Sequence, residues 1–392
     1  MIKQDIPKIR FYSYQGAWTE NKITDIVKIS AGGDVDKERL KESGKYPVVA
    51  NSLTNKGIVG FYDDYKVKAP AVTVTGRGDV GYAVARHENF TPIVRLLTLQ
   101  SDNIDVDYLE NQINSIRILN ESTGVPQLTA PQLGNYKVYH PEIEEQIAIG
   151  SLFRTLDDLL ASYKDNLANY QSLKATLLSK MFPKAGHTVP EIRLDGFEGE
   201  WEFSSLGEQA DITKLAGFEF TNHVVYSDEG KIPAIRGLNV KNQKVNLSDV
   251  KYIDKSDFSK LDRSKLIEDD LLFTYVGTVG EVARVPESVL WYLAPNVSRI
   301  RLNRALDSRF VLYQMASNRF KQKQIFPLIA TSSQPALSMA NIRKFIISFT
   351  TLEEQQAIGS YFSNLDNLIN SHQEKISQLE TLKKKLLQDM FI

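Results

Sequence analysis

The most suggestive chemical motif in the sequence is a glycine-rich turn. Gly76-Arg77-Gly78-Asp79-Val80-Gly81 matches the G-x-G-x-x-G pattern that cradles the pyrophosphate of a dinucleotide. That chemistry requires a helix directly after the turn, whereas Tyr82-Ala83-Val84-Ala85 has the composition of a strand. The sequence therefore predicts a β-hairpin whose glycines adopt positive φ, and not a cofactor site.

Other candidate catalytic patterns are weaker. Asp249-Val250-Lys251 and Glu229-Gly230-Lys231 resemble acid-x-Lys triplets of nucleases, but accident produces such triplets in a chain with 48 acidic and 47 basic residues. Gly44-Lys45 and Gly230-Lys231 lack the Ser or Thr of a P-loop, and no Pro-Pro pair marks an amino-methyltransferase. Cysteine is absent, and the five histidines lack ligand spacing: His87, His140, His187, His223 and His372. We predict no catalytic residue and no metal site.

Composition is that of an ordinary globular protein, with 42% hydrophobic residues and a net charge of −1. No export signal and no apolar run long enough to span a bilayer is evident, so we expect a cytoplasmic protein with no membrane segment. Near-neutral charge argues mildly against nucleic-acid binding. However, the segment 298–323 carries seven basic residues against Asp307 alone, which allows a local basic face.

An internal repeat organises the chain. Glu144-Glu145-Gln146 recurs as Glu353-Glu354-Gln355, and 18 of the 39 positions from 144 to 182 are identical at a shift of 209. A weaker echo relates Pro7-to-Trp18 to Pro190-to-Trp201 at a shift of 183, so the second globular segment is about 26 residues longer. Gly78-Asp79-Val80-Gly81 similarly resembles Gly277-Thr278-Val279-Gly280. The repeating unit is a globule followed by a helix.

The repeated segments 142–182 and 351–392 have apolar residues at steps of three or four, the pattern of a coiled-coil seam. Two core helices of one large domain are the alternative, but the apolar stripe is narrow and the opposite face is charged. We expect the two helices to pack on each other, which would place the globules at opposite ends of the pair if the helices run antiparallel. Carboxylates begin both helices, where the helix dipole favours them.

The segments 1–140 and 184–350 alternate short strand-like runs with turns. Each has one helical stretch near its end, Val106 to Ile118 and Phe310 to Ile325. The predicted fold class is α+β, with two mixed globules separated by two long helices in an antiparallel coiled coil and a pseudo-twofold internal repeat. The predicted domains are 1–140, 141–183, 184–350 and 351–392.

This organisation resembles the specificity subunits of Type I restriction-modification systems. The likeness is carried by Pro141-Glu142-Ile143-Glu144-Glu145-Gln146 with Leu156-Asp157, by Leu352-Glu353-Glu354-Gln355 with Leu365-Asp366, by Gly196-Phe197-Glu198-Gly199-Glu200-Trp201 and by Gln334-Pro335-Ala336-Leu337-Ser338. Two departures are Thr350-Thr351 in place of Pro141, and Val125-Pro126-Gln127-Leu128 as a looser copy of the motif before the helix.

The resemblance implies two target recognition domains, each reading half of an interrupted double-stranded DNA sequence. It implies that the helices space the half-sites and dock two methyltransferase subunits. Those subunits carry S-adenosylmethionine and flip out the adenine for N6 methylation. Restriction subunits with translocase and endonuclease activity would add ATP-dependent cleavage, so S-adenosylmethionine, ATP and Mg²⁺ are expected on the partners and not on this chain.

The DNA contacts of such a chain are expected on glycine-bounded and polar loops. Arg77 would read a guanine edge or hold a phosphate. The whole set of candidates is Asn51, Ser52, Lys56 and Arg77 in the first globule, and Arg236, Asn239, Tyr275, Thr278, Lys321, Lys323, Thr331, Ser332 and Ser333 in the second. A solvated surface group is the alternative interpretation of each of them.

Two other functions fit the same organisation. The chain could be a specificity module of a non-Type I system, in which the partner differs and the reading does not. It could also be a coiled-coil scaffold whose globules bind proteins.

Overall fold

The computed structural model describes residues 6–116, 118, 127–215, 217, 222–330 and 335–392. The chain divides into two compact units, Met1–Asp165 with His372–Ile392, and Asn166–Ser371. Each unit holds one globule and a stretch of each long helix, so the unit boundaries fall inside the helices. The four domain boundaries expected from the sequence stay a prediction. No helix in the described part of the chain is long and apolar enough to cross a membrane.

The two repeated segments are helices of 38 residues each, Ile143–Lys180 and Leu352–Asp389, here called the first and second long helix. Inside the first unit, Phe153 of the first long helix lies against Phe391, just beyond the end of the second, with ring centroids 5.6 Å apart. Further along the first long helix, Asp157 Oδ1 lies 2.5 Å from Lys383 Nζ. The two long helices therefore run in opposite directions, which confirms the predicted antiparallel packing.

The second unit repeats this packing at the shift of 209 residues. Lys174 Nζ lies 2.5 Å from Asp366 Oδ1, and these two residues are the counterparts of Lys383 and Asp157. Phe182 packs on Phe362 with ring centroids 6.4 Å apart, the counterpart of the contact between Phe391 and Phe153. The predicted pseudo-twofold repeat is therefore confirmed at the level of individual contacts.

The first globule is built on two sheets and a two-stranded ladder. Its strands are β1 (Thr19–Lys22), β2 (Lys28–Ala31), β3 (Tyr46–Val49), β4 (Ile58–Tyr62), β5 (Ala71–Val74), β6 (Ala83–Arg86), β7 (Thr91–Pro92), β8 (Leu97–Gln100) and β9 (Lys137–His140). The sheet orders are β2-β8-β5-β6 and β4-β3-β7, and β1 pairs with β9. The helices outside the long pair are Ile23–Ile26, Val106–Ser115 and Ala130–Gly134.

The second globule has the same plan with additions. Its strands are β10 (Glu202–Ser205), β11 (Ala210–Lys214), β12 (Pro233–Ile235), β13 (Val240–Lys241), β14 (Lys244–Val245), β15 (Lys251–Tyr252), β16 (Lys265–Leu266), β17 (Leu271–Thr274), β18 (Val282–Arg284), β19 (Trp291–Leu293), β20 (Val297–Leu302) and β21 (Ile346–Phe349). The sheet orders β11-β20-β17-β18, β15-β12-β19-β16 and β10-β21 match those of the first globule, with β16 and the β13–β14 hairpin added.

The helices of the second globule are shorter than the sequence predicts. They are Leu206–Gln209, Ser308–Ala316, Asn318–Phe320 and Met339–Arg343. The predicted stretch from Phe310 to Ile325 is thus divided at Ser317, whose hydroxyl accepts from the Phe320 amide as a new helix cap, and it ends in a π-helical turn, Lys321–Ile325. In the first globule the helix ends at Ser115 rather than at Ile118.

A buried ion pair fastens each globule to the start of its long helix. Arg10 Nε and Nη2 donate to the two carboxylate oxygens of Glu145 at 2.7 Å each. Arg193 makes the same two bonds, also at 2.7 Å, to Glu354. The two carboxylates are each 1% exposed, and the bond to the carboxylate raises the pKa of each arginine. These bidentate pairs explain why Glu145 and Glu354 recur in the sequence.

The glutamine that follows in each copy joins the long helix to the globule's own helix. Gln146 Oε1 accepts from the Asp105 amide at 3.1 Å, and Gln146 Nε2 donates to the Pro141 carbonyl at 2.9 Å. Gln355 makes the matching bonds to Asp307 and Thr350, at 3.0 and 2.7 Å. Because Asp105 and Asp307 cap the helices that follow them, each glutamine fixes where that helix begins.

We predict that Glu354→Gln lowers the free energy of unfolding of the second unit by about 3 kcal/mol, because it leaves the Arg193 guanidinium without its buried counter-charge. Urea unfolding of the full chain measures the change. Glu353→Gln, which alters the exposed neighbour, is the matched control and should stay within about 0.5 kcal/mol of the wild type. An equal loss in both variants would contradict the role of the pair.

We also predict that Gly150→Ala destabilises the first unit although alanine is the better helix former by about 1 kcal/mol. A Cβ at position 150 would lie 2.8 Å from the Tyr108 amide nitrogen, which is backbone and cannot move alone. The counterpart Gly359 is less crowded, with the Phe310 nitrogen at 3.2 Å, so Gly359→Ala should lower the thermal midpoint less. A higher midpoint for Gly150→Ala would refute the close approach.

Candidate nucleic-acid interface

The glycine-rich turn is a hairpin loop in both globules. β5 and β6 pair antiparallel around residues 75–82, and β17 and β18 do so around 275–281. The absence of a helix after the turn confirms the hairpin that the sequence predicts. In the first loop Thr75 Oγ1 donates to the Asp79 carbonyl and accepts from the Tyr82 amide at 2.9 Å. Gly78 and Gly81 have φ of 71° and 87°, which a side chain would oppose.

The second loop has the same internal bonds. Thr274 Oγ1 donates to the Thr278 carbonyl at 2.5 Å and accepts from the Glu281 amide at 2.9 Å. Gly277 and Gly280 have φ of 80° and 95°. The two loops therefore share a Thr-x-x-Gly-x-Val-Gly frame, in which Val276 takes the place of Arg77 and Tyr275 that of Gly76.

Arg77 and Thr278 are exposed on these loops, and Tyr275 is half-buried. Lys214 Nζ lies 5.4 Å from the centroid of the Tyr275 ring, and burial raises the pKa of that tyrosine. A main-chain hydrogen bond fixes each loop to a neighbouring segment. The Gly76 carbonyl accepts from the Leu128 amide at 2.9 Å, and the Tyr275 carbonyl accepts from the Leu337 amide at 2.8 Å.

Asn51 holds the first glycine loop in place through two hydrogen bonds. Its Oδ1 accepts from the Gly76 amide and its Nδ2 donates to the Val94 carbonyl, both at 2.7 Å. Ser52 bonds within its own turn, to Thr54 Oγ1 at 2.8 Å. Lys56 is exposed with φ of 50°, and its carbonyl accepts from the buried Arg86, whose burial lowers the pKa of that guanidinium to about 10.

Arg95, which no sequence pattern predicts as a site residue, lies beside the first glycine loop. Arg95 is exposed, and it follows Val94, which has φ of 50°; Arg95 itself has φ of 60°. A β-branched residue in the left-handed region is strained, which is typical of functional loops. Asn296 holds the corresponding place in the second globule, with φ of 71°. No composition signal marks Val94-Arg95 as a turn, so pattern analysis could not find it.

In the second globule, Arg236 and Thr278 line one cavity of about 460 Å³, together with Leu238 and Asn296. Arg236 Nη2 donates to the Asp249 carbonyl at 2.7 Å, which fixes the guanidinium at the wall. Leu238 is 58% exposed at the rim. The cavity is therefore bordered by two loops that carry predicted DNA contacts, the loop of Arg236 and the glycine loop of Thr278.

Asn239, one of the predicted DNA contacts, lies inside its own loop in this structure. Asn239 is 1% exposed, and its amide bonds the Asn246 carbonyl at 3.0 Å and the Asp249 carbonyl at 2.7 Å, so it holds the loop together from within. Lys323 is exposed, whereas Lys321 pairs with Glu281 at 2.9 Å. Thr331, Ser332 and Ser333 lie outside the described residues.

Several cations of the basic segment 298–323 are neutralised inside the second unit, whereas Arg304 and Lys323 are exposed. Arg299 pairs with Asp211, and Arg301 pairs with Asp270 at 2.7 Å. Arg309 pairs with Asp307 at 3.2 Å, and Arg319 donates to the main-chain carbonyls of residues 179, 182 and 183.

A family model described as the Type I restriction modification DNA specificity domain matches residues 15–170 and again residues 198–381. The two matches cover most of the chain, one on each copy of the repeat. The chain belongs to this family.

Relatives of this family agree with the assignment. The Type I restriction enzyme MjaVIII specificity subunit of Methanocaldococcus jannaschii is 23% identical over 278 residues, which are 68% of this chain and 64% of that protein. The chain therefore matches less than two thirds of the length of this curated relative.

Solved structures show the same fold. The S subunit of a Type I restriction-modification system from M. genitalium matches with a TM-score of 0.69 and 17% identity, over 99% of both chains. A chain from a Type I system solved to explain complex assembly and conformational transition matches with a TM-score of 0.50 and 14% identity, over 96% of this chain and 98% of that one.

We predict that Asn51→Ala loosens the first glycine loop of this specificity domain without unfolding the globule. Loss of the bond to the Gly76 amide, about 1 kcal/mol, should speed hydrogen exchange of that amide roughly five- to tenfold, whereas exchange in β5 stays unchanged. Ser52→Ala is the control, because Ser52 bonds only within its own turn. If both variants left Gly76 equally protected, Asn51 would not position the loop.

Proposed function

We propose that this chain reads an interrupted double-stranded DNA target, one half-site with each globule, and that it has no catalytic residue of its own. The observation that supports this most is the shared Thr-x-x-Gly-x-Val-Gly loop, which presents Arg77 in one globule and Tyr275 and Thr278 in the other. A common main-chain frame with different side chains suits two readers of different sequences. Base edges are distinguished by such side chains, while the frame sets their approach.

We further propose that the long helices dock two methyltransferase subunits. Leu159 and Leu173 of the first long helix are each 42% exposed, and their counterparts Leu368 and Leu382 are each 44% exposed. Exposed apolar residues that recur at the same shift favour two copies of one partner, bound in equivalent ways. Glu145, Gln146, Glu354 and Gln355 are buried and are not available for such a contact.

The chemistry of the assembly belongs to the partners in this proposal. Methyltransferase subunits would supply S-adenosylmethionine for adenine N6 methylation, and restriction subunits would use ATP and Mg²⁺ for translocation and cleavage. This chain would fix the place and the spacing. Helix length makes the spacing a geometric quantity, as half-site separation is for dimeric readers.

The test is an exchange of residues 1–140 for the first globule of another family member, in cells that also express the neighbouring methyltransferase. Long-read detection of N6-methyladenine should give a bipartite motif that changes in one half only. Exchange of residues 184–350 is the reciprocal control and should change the other half. A contiguous motif, or one that neither exchange alters, would contradict the proposal and favour a protein-binding scaffold.

A further inference from the structure

A second cavity in the second globule, of about 520 Å³, is lined by four cationic side chains and one carboxylate. The cations are Lys214, Arg263, Arg299 and Arg343, and the carboxylate is Asp211. They come from β11, β20, a 3₁₀ turn and the helix Met339–Arg343, so no stretch of sequence reveals the cluster. Like charges collected around one cavity repel each other, and an anion bound there would relieve that repulsion.

The cluster has a fixed part and an available part. Arg299 is 5% exposed, pairs with Asp211, and donates to the Arg263 carbonyl at 3.1 Å. Its Nε has no hydrogen-bond partner although it is buried. The single carboxylate is therefore already engaged by the most buried cation, and it does not neutralise the others.

Lys214 and Arg343 are the available cations. Both are exposed, and among the described residues neither lies within ion-pair distance of a carboxylate. Arg343 Nη2 donates to the Ile212 carbonyl at 2.7 Å, a neutral acceptor that holds the guanidinium at the cavity wall. Lys214 lies over the ring of Tyr275. A guanidinium and an ammonium facing one cavity form a donor set suited to a phosphate.

The cavity lies near the glycine loop of the second globule. Lys214 reaches that loop through Tyr275, and the chain that leads into the helix Met339–Arg343 bridges it through Ala336 and Val276. A phosphate held here would thus lie beside side chains proposed to read bases.

Among the described residues of the first globule, the positions equivalent to three of the four cations are uncharged. The strand pairing and the helix alignment place Ala31, Thr98 and Gly134 at the positions of Lys214, Arg299 and Arg343. None of these three carries a charge, so the feature belongs to one globule and not to the repeated frame.

We infer that this cavity binds a phosphate of the DNA backbone at the half-site read by the second globule, with Lys214 and Arg343 as its ligands. The inference rests on the proposed function. It makes the two heads unequal: the second gains a contact that fixes its position on the duplex irrespective of sequence, and the first does not.

The test compares Lys214→Gln/Arg343→Gln with Lys260→Gln/Lys344→Gln in the full chain copurified with its methyltransferase. Both double variants remove two exposed positive charges from the second unit, and Lys344 is the direct neighbour of Arg343. The probe is a fluorescein-labelled duplex that carries the methylated site, titrated between about 50 and 200 mM KCl.

For Lys214→Gln/Arg343→Gln we expect the slope of log Kd against log salt to fall by about 0.9, the value for one lost phosphate contact. The Kd should rise roughly tenfold. Ethylation interference should lose one protected phosphate in the half-site of the second globule, and the control pair should keep it. Equal slopes and equal footprints for the two double variants would overturn the inference.

A thermal-shift series with inorganic phosphate at constant ionic strength separates the source of the anion. One outcome is that inorganic phosphate stabilises the wild type but not Lys214→Gln/Arg343→Gln, while both proteins give the same slope of log Kd against log salt for the duplex. In that case the cavity binds a free anion and the assignment to DNA is wrong. If the wild-type complex binds no duplex at all, the proposed function itself fails.

Discussion

The buried ion pair between each globule and its long helix is the interaction on which the rest of the structure depends. Arg10 and Arg193 each satisfy a carboxylate that is 1% exposed, and both lie in short segments that have little secondary structure of their own. An ionised carboxylate at that depth is tolerated only with its counter-charge in place. The pair therefore specifies one register of globule on helix, and the adjacent Gln146 and Gln355 extend that register to the helix inside each globule.

This arrangement explains which parts of the chain repeat and which diverge. Four recurring features face a partner element inside their own unit, where a change of shape or charge is costly. They are the second glutamate and the glutamine of each Glu-Glu-Gln, the glycine at 150 and 359, and the Met-Phe at each helix end. The glycine loops keep a threonine, two glycines and a valine that packs against the core of its globule. Exposed positions such as Arg77 and Thr278 can differ between the two globules at little cost in stability.

The sequence predicts the long helices and the hairpins because both depend on local patterns. Apolar spacing sets the helices, and positive-φ glycines set the turns. The sequence does not predict which polar side chains become enclosed when the chain folds. Asn239 has the polarity of a surface residue, yet its carbonyl partners lie 7 and 10 residues further along and enclose it. Arg95 lies in a turn with positive φ, and neither Val94 nor Arg95 is a residue type that predicts such a turn.

Counting charged residues along the sequence does not predict which charges are available at the surface. The segment 298–323 is basic in sequence, but Arg299 and Arg301 project from β20 toward carboxylates of β11 and of the turn before β17. These carboxylates neutralise the two arginines. A basic side chain remains available to bind an anion where the nearby carboxylates are already paired with other basic side chains. Lys214 and Arg343 meet that condition although they are 129 positions apart in the sequence. A chain with a net charge of −1 can therefore present a local anion site, because pairing in three dimensions, and not the total, decides which charges remain.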